Sequence, residues 1–316
     1  MITSMPIAQI QYGTGVDGYY LMKEASLRQT KRGTTFLLAV LQDISGQIGA
    51  VKWEYNGEVA VSDAGKVVHI LGRCTSYADK LQVVLDSIRL AEPSEGYDPS
   101  GLVPTAPISI PDELREVEKF VATIEDTDYA AICREMLNRH KEHFWMIPAA
   151  KSVHHGFAGG LLMHTCNMLR LADYVAGQYR DTVNRDLLMA GVLLHDMAKD
   201  REFATSEFGL VTEYSVPGVL LGHLVMGAEE VAEIAKELGA PREKSVLLQH
   251  LLLSHHGQPE FGAAVYPVCA ESELLSLIDL IDSRMEIYRE AMDRTPVGEF
   301  SDRIYGLDNR RILHHE

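Results

Sequence analysis

Residues 191–200, GVLLHDMAKD, place His195 and Asp196 side by side in an apolar run, with Lys199 one turn later. Burying one polar group of this kind without a partner costs roughly 1–3 kcal/mol, and burying a charge costs more. We therefore expect other parts of the chain to supply compensating groups. A divalent cation is one such group, because imidazole and carboxylate are its usual ligands.

More histidines and one aspartate occur at helix ends or on apolar helix faces elsewhere in the chain. They are His164, His223, His255, His256 and Asp279. A lone histidine on an apolar helix is more often a hydrogen-bonded core residue than a ligand. Several of them, one helix after another, predict a shared metal site, since a helical bundle can bring such groups together in its core.

The elements that must position these groups are helical. Spacings close to 3.6 residues predict helices over 113–125, 129–141, 160–178, 185–199, 220–238, 242–256 and 271–293. Gly239 and Pro241 are typical of a helix end and of the next helix start. We predict an all-α helical bundle over residues 112–316.

The first hundred residues favour strands instead. TTFLLAVLQD and QIGAVKWEYN are β-branched and aromatic runs joined by ISG, which is typical of a hairpin. The pattern predicts about five strands and a short helix near VSDAG. We expect a multidomain protein whose N-terminal all-β domain, residues 1–92, is an OB-type barrel. A proline-rich linker over residues 93–111 follows it.

Composition narrows the class of protein. The net charge of −16 argues against a protein that coats nucleic acid by charge alone. No apolar stretch has the length of a membrane span, and no secretory signal is evident. Without a CxxC pair, the cysteines favour free thiols and a cytoplasmic location. They are Cys74, Cys133, Cys166 and Cys269.

Several segments together resemble a known family. The series His164, His195-Asp196 and Asp279 resembles the HD superfamily of metal-dependent phosphohydrolases, and His223 with His255-His256 resembles its two-metal members. Five segments are similar to segments of the YhaM-type 3′→5′ exoribonucleases: HHGFAGGLLMHTCNMLRLA, LLHDMAK, EYSVPGVLLGH, HHGQPEFGAAVYPVCAESELLSLIDLIDSRM and FSDRIYGLDNR. FLLAVLQDISGQIGAVKWE resembles the OB-fold nucleic-acid-binding module of that family.

The resemblance implies two divalent ions that share Asp196 as a bridging ligand. One ion would also be held by His164, His195 and Asp279, and the other by His223, His255 and His256. Two such ions, about 4 Å apart, can activate a water for in-line attack on phosphorus. The resemblance points to Mn²⁺, whereas the ligand set alone also suits Fe²⁺, Co²⁺ or Mg²⁺.

Other polar residues leave alternatives open. Lys199 either contacts the scissile phosphate, as a catalytic residue beside Asp196, or is an ordinary lysine at a helix end. Asp282 is a second candidate ligand, although Asp279 matches the position of the family ligand. His154 and His155 either line the substrate entrance or belong to a surface loop.

Aromatic and basic residues of the barrel are candidates for nucleic-acid binding, because OB barrels stack bases on exposed rings. Strand alternation sends some of the rings into the core, and Trp53 with Lys52 is the expected binding face. The other candidates are Phe36, Tyr55 and Tyr77 among the rings, and Arg28, Lys31, Arg32, Arg73 and Lys80 among the cations.

The leading hypothesis is a metal-dependent 3′→5′ exoribonuclease that hydrolyses single-stranded RNA to 5′-mononucleotides, with single-stranded DNA as a further candidate substrate. The alternative is an HD phosphodiesterase of small nucleotides with a regulatory OB domain. A nucleic-acid-binding protein with a structural metal is a third hypothesis, against which the complete ligand set argues. A homo-oligomer is compatible with the sequence but does not follow from it.

Overall fold

The computed structural model describes residues 4–78, 80–98, 101–103, 105–149, 157–205 and 211–316 of the 316. The chain divides into two compact units. The first comprises Met1–Thr105 with Thr205–Glu213, and the second comprises Ala106–Ala204 with Tyr214–Glu316. The domain boundaries proposed above from the sequence stay a prediction.

The first unit is a closed five-stranded barrel of the expected OB type. Its strands have the order β1-β2-β3-β5-β4, in which β3 and β5 are parallel and all other neighbours are antiparallel. A 3₁₀ turn at Val61–Asp63 occupies the place of the predicted short helix. The strands are β1 (Gly15–Gln29), β2 (Thr35–Asp43), β3 (Gly46–Lys52), β4 (Val67–Tyr77) and β5 (Lys80–Leu90).

Alternating apolar residues explain the barrel. In β2, Leu37, Ala39 and Leu41 are buried, while Leu38 between them is exposed. Successive side chains of a strand point to opposite faces, so one set of residues fills the interior. Ala50 pairs with Ala39 across the β2–β3 ladder and joins the same apolar core.

The second unit is helical, as predicted. Its helices are α1 (Ile110–Ala122), α2 (Thr127–His140), α3 (Gly160–Gln178), α4 (Arg185–Leu194), α5 (Lys199–Glu202), α6 (Val216–Leu220), α7 (Gly222–Leu238), α8 (Arg242–Ser254) and α9 (Ala270–Asp293). In the sequence between α5 and α6, the strands β6 (Phe203–Thr205) and β7 (Val211–Tyr214) form a small two-stranded sheet that was not expected from the sequence, and residues 205–213 of this segment are grouped with the first unit.

Two predicted helices are interrupted. The helix expected over residues 185–199 ends at Leu194, and a turn over residues 195–198 separates α4 from α5. Met197 and Ala198 of that turn are buried, so the apolar pattern continues past the end of the helix. The helix expected over residues 220–238 begins at Gly222, whose φ of +73° breaks it from α6.

Among the described residues, one apolar core connects α1, α2, α3, α4, α7, α8 and α9. It includes Leu161 and Met168 of α3, Leu188 of α4, Leu251 of α8 and Ile278 of α9, all fully buried. The four cysteines are free thiols. Over the described ranges, no helix has the length and apolar character needed to span a membrane.

Candidate metal centre

Packing between α3, α4, α7, α8 and α9 forms the candidate site. A Cβ atom on Gly191 of α4 would lie 2.3 Å from Cδ2 of Leu251 in α8, so glycine permits the close approach of these helices. His195 is the residue directly after α4, and His255 is the residue directly after α8. The close packing therefore brings both imidazoles to the same end of the bundle, where their rings lie 5.0 Å apart.

Asp196 lies at the middle of the cluster, with different histidines facing each of its oxygens. Its Oδ2 is 3.3 Å from Nε2 of His195 and 3.9 Å from Nε2 of His164. Its Oδ1 is 3.2 Å from Nε2 of His223 and 3.6 Å from Nε2 of His255. One carboxylate thus faces two separate groups of donor atoms, as a bridging ligand would.

The two remaining candidate ligands complete this arrangement. Oδ1 of Asp279 lies 3.4 Å from Nε2 of His164, and the ring of His256 lies 4.4 Å from that of His255. Among the described residues, three overlapping sets have donor atoms within 4.8 Å of one another and could each hold an ion. They are His164 with His195 and Asp196, His195 with His255 and Asp279, and His223 with His255 and His256.

Several of these donor atoms lack a hydrogen-bond partner within the described part of the chain. They are Asp196 Oδ1, the Nε2 atoms of His195, His223 and His255, and Nδ1 of His256. The contacts of His223 and His195 with Asp196 are short, but they do not have hydrogen-bond geometry. Because buried polar atoms are nearly always satisfied, this convergence fits residues that coordinate cations.

The other ring nitrogen of four histidines is held in place. In each case Nδ1–H donates a hydrogen bond and Nε2 faces the cluster, the orientation that is usual for metal-binding histidines. The acceptors are Val192 O for His195 at 2.7 Å, Leu252 O for His255 at 2.8 Å, Asp282 for His164 at 2.6 Å, and Glu202 for His223 at 3.0 Å.

These contacts separate the roles of the acidic residues. Asp282 contacts Nδ1 of His164, which points away from the cluster. Asp279 contacts Nε2 of the same ring, which points into the cluster. Glu202 was not among the residues singled out from the sequence. Glu202 is the last residue of the charged run KDRE, which resembles a solvent-exposed helix end. No sequence pattern indicates that it is buried.

Electrostatics at the site favour the metal-binding forms of Asp196 and His255. Burial alone would raise the pKa of Asp196, but the nearby Lys199 and His195 lower it by more than burial raises it. The pKa of this carboxyl is therefore well below its usual range. Burial, with His256 and His195 nearby, holds the pKa of His255 well below 6.5. An ionised carboxylate and a neutral imidazole are the forms that bind a cation. By contrast, burial lowers the pKa of His164, and its carboxylate neighbours raise it to about 10.

Lys199 contacts the cluster directly. Its Nζ donates to Oδ2 of Asp196 at 2.6 Å and to the carbonyl oxygen of Ala149 at 2.6 Å. The ammonium therefore lies beside the carboxylate, on the side that faces His164 and His195. His154 and His155, the residues considered for a substrate entrance, lie outside the described residues.

The candidate nucleic-acid-binding residues of the barrel differ in exposure. Trp53 is 49% exposed, and its ring lies 4.9 Å from that of Phe36, whose cross-strand neighbour is Arg28. Lys52 is buried, with Nζ 3.9 Å from Glu58, and does not present an exposed ammonium.

The other barrel candidates lie elsewhere. Tyr77 is exposed and pairs with Lys80 at the β4–β5 hairpin, away from Trp53, which follows the end of β3. Arg32 is exposed in the β1–β2 turn. The hydroxyl of Tyr55 donates to the carbonyl oxygen of Val59, which holds this ring against the barrel core.

Comparison with known proteins identifies relatives over nearly the whole chain. The sequence model of the HD domain matches residues 161–284. The 3′-5′ exoribonuclease YhaM of Listeria innocua is 37% identical over 95% of this chain and 95% of its own length. The 3′-5′ exoribonuclease YhaM of Shouchella clausii is 38% identical over 94% of this chain and 92% of its own length.

Proposed function

The chain belongs to the YhaM family of 3′-5′ exoribonucleases, and we propose that it shortens single-stranded RNA from the 3′ end and releases 5′-mononucleotides. The HD domain makes this hydrolysis dependent on divalent metal. Single-stranded DNA is a further candidate substrate.

One observation carries the assignment of the active site. Each oxygen of Asp196 faces two imidazole nitrogens, and most of these nitrogens have no hydrogen-bond partner in the described ranges. We propose that Asp196 would belong to two sets of metal ligands. His164, His195 and Asp279 would complete one set of ligands, and His223, His255 and His256 the other.

Two divalent ions held in this way supply Lewis acidity, which lowers the pKa of a water and neutralises charge on a phosphate. The histidine and carboxylate ligands suit Mn²⁺, Fe²⁺ or Co²⁺, and we propose Mn²⁺ on the family resemblance. The chain itself keeps His255 neutral through burial and Asp196 ionised through its cationic neighbours.

The reaction joins the oxygen of water to the last phosphodiester phosphorus and breaks the bond to the 3′-oxygen of the preceding nucleotide. A proton passes to that 3′-oxygen, and the terminal nucleotide leaves with a 5′-phosphate. We propose that Lys199, whose ammonium lies 2.6 Å from Asp196, stabilises negative charge on the reacting phosphate.

The barrel supports a polymeric substrate. Trp53 and Phe36 form an adjacent pair of rings, and Arg28 lies next to Phe36 across the β1–β2 ladder. Stacked bases and a cation for the phosphate backbone are the usual means by which OB barrels hold single strands. The free cysteines accord with a reducing compartment, and we propose that the enzyme acts in the cytoplasm.

Digestion of a 5′-labelled single-stranded RNA in Mn²⁺ tests the proposal. We expect a ladder that shortens from the 3′ end, 5′-mononucleotides as products, and no ladder with Asp196→Ala. Asp181→Ala, which removes an exposed carboxylate, is the matched control and should retain full activity.

Two results would contradict the proposal. An intact oligonucleotide, with Mn²⁺ shown to be bound, would favour the phosphodiesterase of small nucleotides. A ladder of unchanged rate with Asp196→Ala would place the active site elsewhere.

A further inference from the structure

A pocket of about 440 Å³ opens directly beside the metal centre. His255, His256 and Asp279, three of the proposed ligands, form part of its wall. Any group in this pocket is therefore next to three of the proposed metal ligands. The mechanism above uses none of the remaining residues that line it.

Two aromatic rings and several small polar groups line the rest of the pocket. Phe261 is 73% exposed and Tyr266 is 55% exposed, which leaves large ring surfaces open to a ligand. The side chains of Gln258, Ser276 and Ser283 add hydrogen-bonding groups. Such a mixture of apolar surface and a few polar groups is typical of small-molecule sites.

The charge of the pocket indicates which part of the substrate it takes. Among the described residues that line it, none is lysine or arginine, while Glu273 contributes a carboxylate. A phosphate would therefore be poorly placed in the pocket itself. A neutral nucleoside, with its phosphate at the metal centre, suits both halves of the site.

We propose that this pocket binds the 3′-terminal nucleoside of the RNA, with its base stacked on Phe261 or Tyr266. The inference rests on the proposed function, in which the bond between the last phosphorus and the preceding 3′-oxygen breaks and the terminal nucleotide leaves with that phosphate. That nucleoside is covalently joined to the reacting phosphate, so it must lie next to the metal ligands. The pocket then positions the end of the chain for removal of one nucleotide at a time.

The test compares RNA substrates that differ only in one base. The three oligonucleotides carry a normal 3′ end, an abasic 3′-terminal residue or an abasic penultimate residue, and kcat/KM is measured for the first cleavage in Mn²⁺. Loss of one base–aromatic stacking contact typically costs about five- to hundredfold. For the wild type, we expect kcat/KM on the terminal abasic RNA to be lower than on the normal RNA by at least about tenfold.

The variants assign this preference to the pocket. Alanine at the ring on which the base stacks, Phe261→Ala or Tyr266→Ala, should lower kcat/KM on normal RNA and leave the rate on terminal abasic RNA unchanged. Phe261→Tyr and Tyr266→Phe should retain the preference, because they retain a ring. Tyr174→Ala, which removes an exposed ring from α3, is the control and should behave as the wild type.

Inhibition by products gives a second readout. Adenosine 5′-monophosphate should inhibit the wild type more strongly than ribose 5-phosphate, and Phe261→Ala or Tyr266→Ala should reduce that difference.

Failure of the pocket and failure of the proposed function give different results. If the wild type prefers a terminal base and both alanine variants keep that preference, the pocket is not the site. Sensitivity to the penultimate base instead would place another nucleotide there and overturn the proposal. A wild type that shortens no RNA would overturn the proposed function itself.

Discussion

Both carboxylate oxygens of Glu202 lie 3.0 Å from Nδ1 of His223, and Oε1 also accepts the backbone N–H of His223 at 3.1 Å. One buried carboxylate therefore holds the ring and the backbone of the same histidine. Because Nδ1–H is donated to Glu202, Nε2 is left to face Asp196 at 3.2 Å. Glu202 thus orients a proposed ligand without lying in the cluster itself.

Substitution of Glu202 should weaken metal binding. Loss of a carboxylate behind a metal-binding histidine commonly lowers affinity about 10- to 100-fold. We expect Glu202→Gln to weaken Mn²⁺ binding by about tenfold and Glu202→Ala to weaken it more. Calorimetric titration of chelator-treated protein would measure this. Glu229→Gln, on an exposed position of α7, should bind Mn²⁺ normally, and equal affinity in all three variants would contradict the assigned role.

Metal should also stabilise the folded chain, because the buried ring nitrogens and Asp196 Oδ1 would gain partners on binding. At a free concentration one hundred times the Kd, a ligand adds about 2.7 kcal/mol to the free energy of unfolding. We expect Mn²⁺ to raise Tm by roughly 5–10 °C in a thermal melt, and chelator to reverse it. Asp196→Ala should abolish most of this rise, while Asp181→Ala should retain it. The same rise in both variants would show that Mn²⁺ binds elsewhere.

His140 gives the stability a dependence on pH. Its Nδ1 lies 2.6 Å from Asp200 and its Nε2 lies 3.1 Å from Glu230. Burial lowers the pKa of His140, but the two carboxylates raise it, and the net result is a pKa of about 9. The protonated ring therefore stabilises the fold fully below pH 6.5, the usual histidine value, and this contribution is lost as the pH rises through 9.

The variant His140→Gln should reveal this contribution. A rise from 6.5 to about 9 corresponds to about 3 kcal/mol. We expect the loss in unfolding free energy caused by His140→Gln to be larger at pH 6 than at pH 9.5 by about that amount. Urea denaturation at the two pH values would measure it. His143→Gln, an exposed histidine three residues later, should cause no such difference, and a loss independent of pH for His140→Gln would contradict the assignment.

The candidate ligands were visible in the sequence because each is a polar residue in an apolar context. His195 and Asp196 stand out in GVLLHDMAKD, and His164 stands out among leucines and methionines of α3. The barrel was also predictable, because alternating apolar residues mark its strands. The end of α4 at Leu194 was not predictable, because Met197 and Ala198 continue the apolar pattern through the turn.

Other parts of the site depend on tertiary packing. Glu202 has the sequence context of a surface residue, and only its contact with His223 shows why it is buried. Phe261 and Tyr266 lie between α8 and α9, where no helical or strand periodicity marks them. Their relation to the metal centre arises when His255 and Asp279 come together in space, which a single sequence cannot indicate.

The barrel should contribute affinity for RNA without contributing to the chemical step. Trp53 is half exposed and packs beside Phe36, so Trp53→Ala would remove a stacking surface while leaving the barrel core intact. We expect it to weaken binding of a single-stranded RNA of about 20 nucleotides by about five- to hundredfold, as measured by fluorescence anisotropy in chelator. Trp53→Phe should retain most of the affinity because it keeps a ring.

Cleavage of a dinucleotide, which is too short to reach a second binding surface, should be unchanged in both variants. If Trp53→Ala slowed dinucleotide cleavage as much as it weakened RNA binding, the residue would act through the fold or the active site and not as a stacking platform.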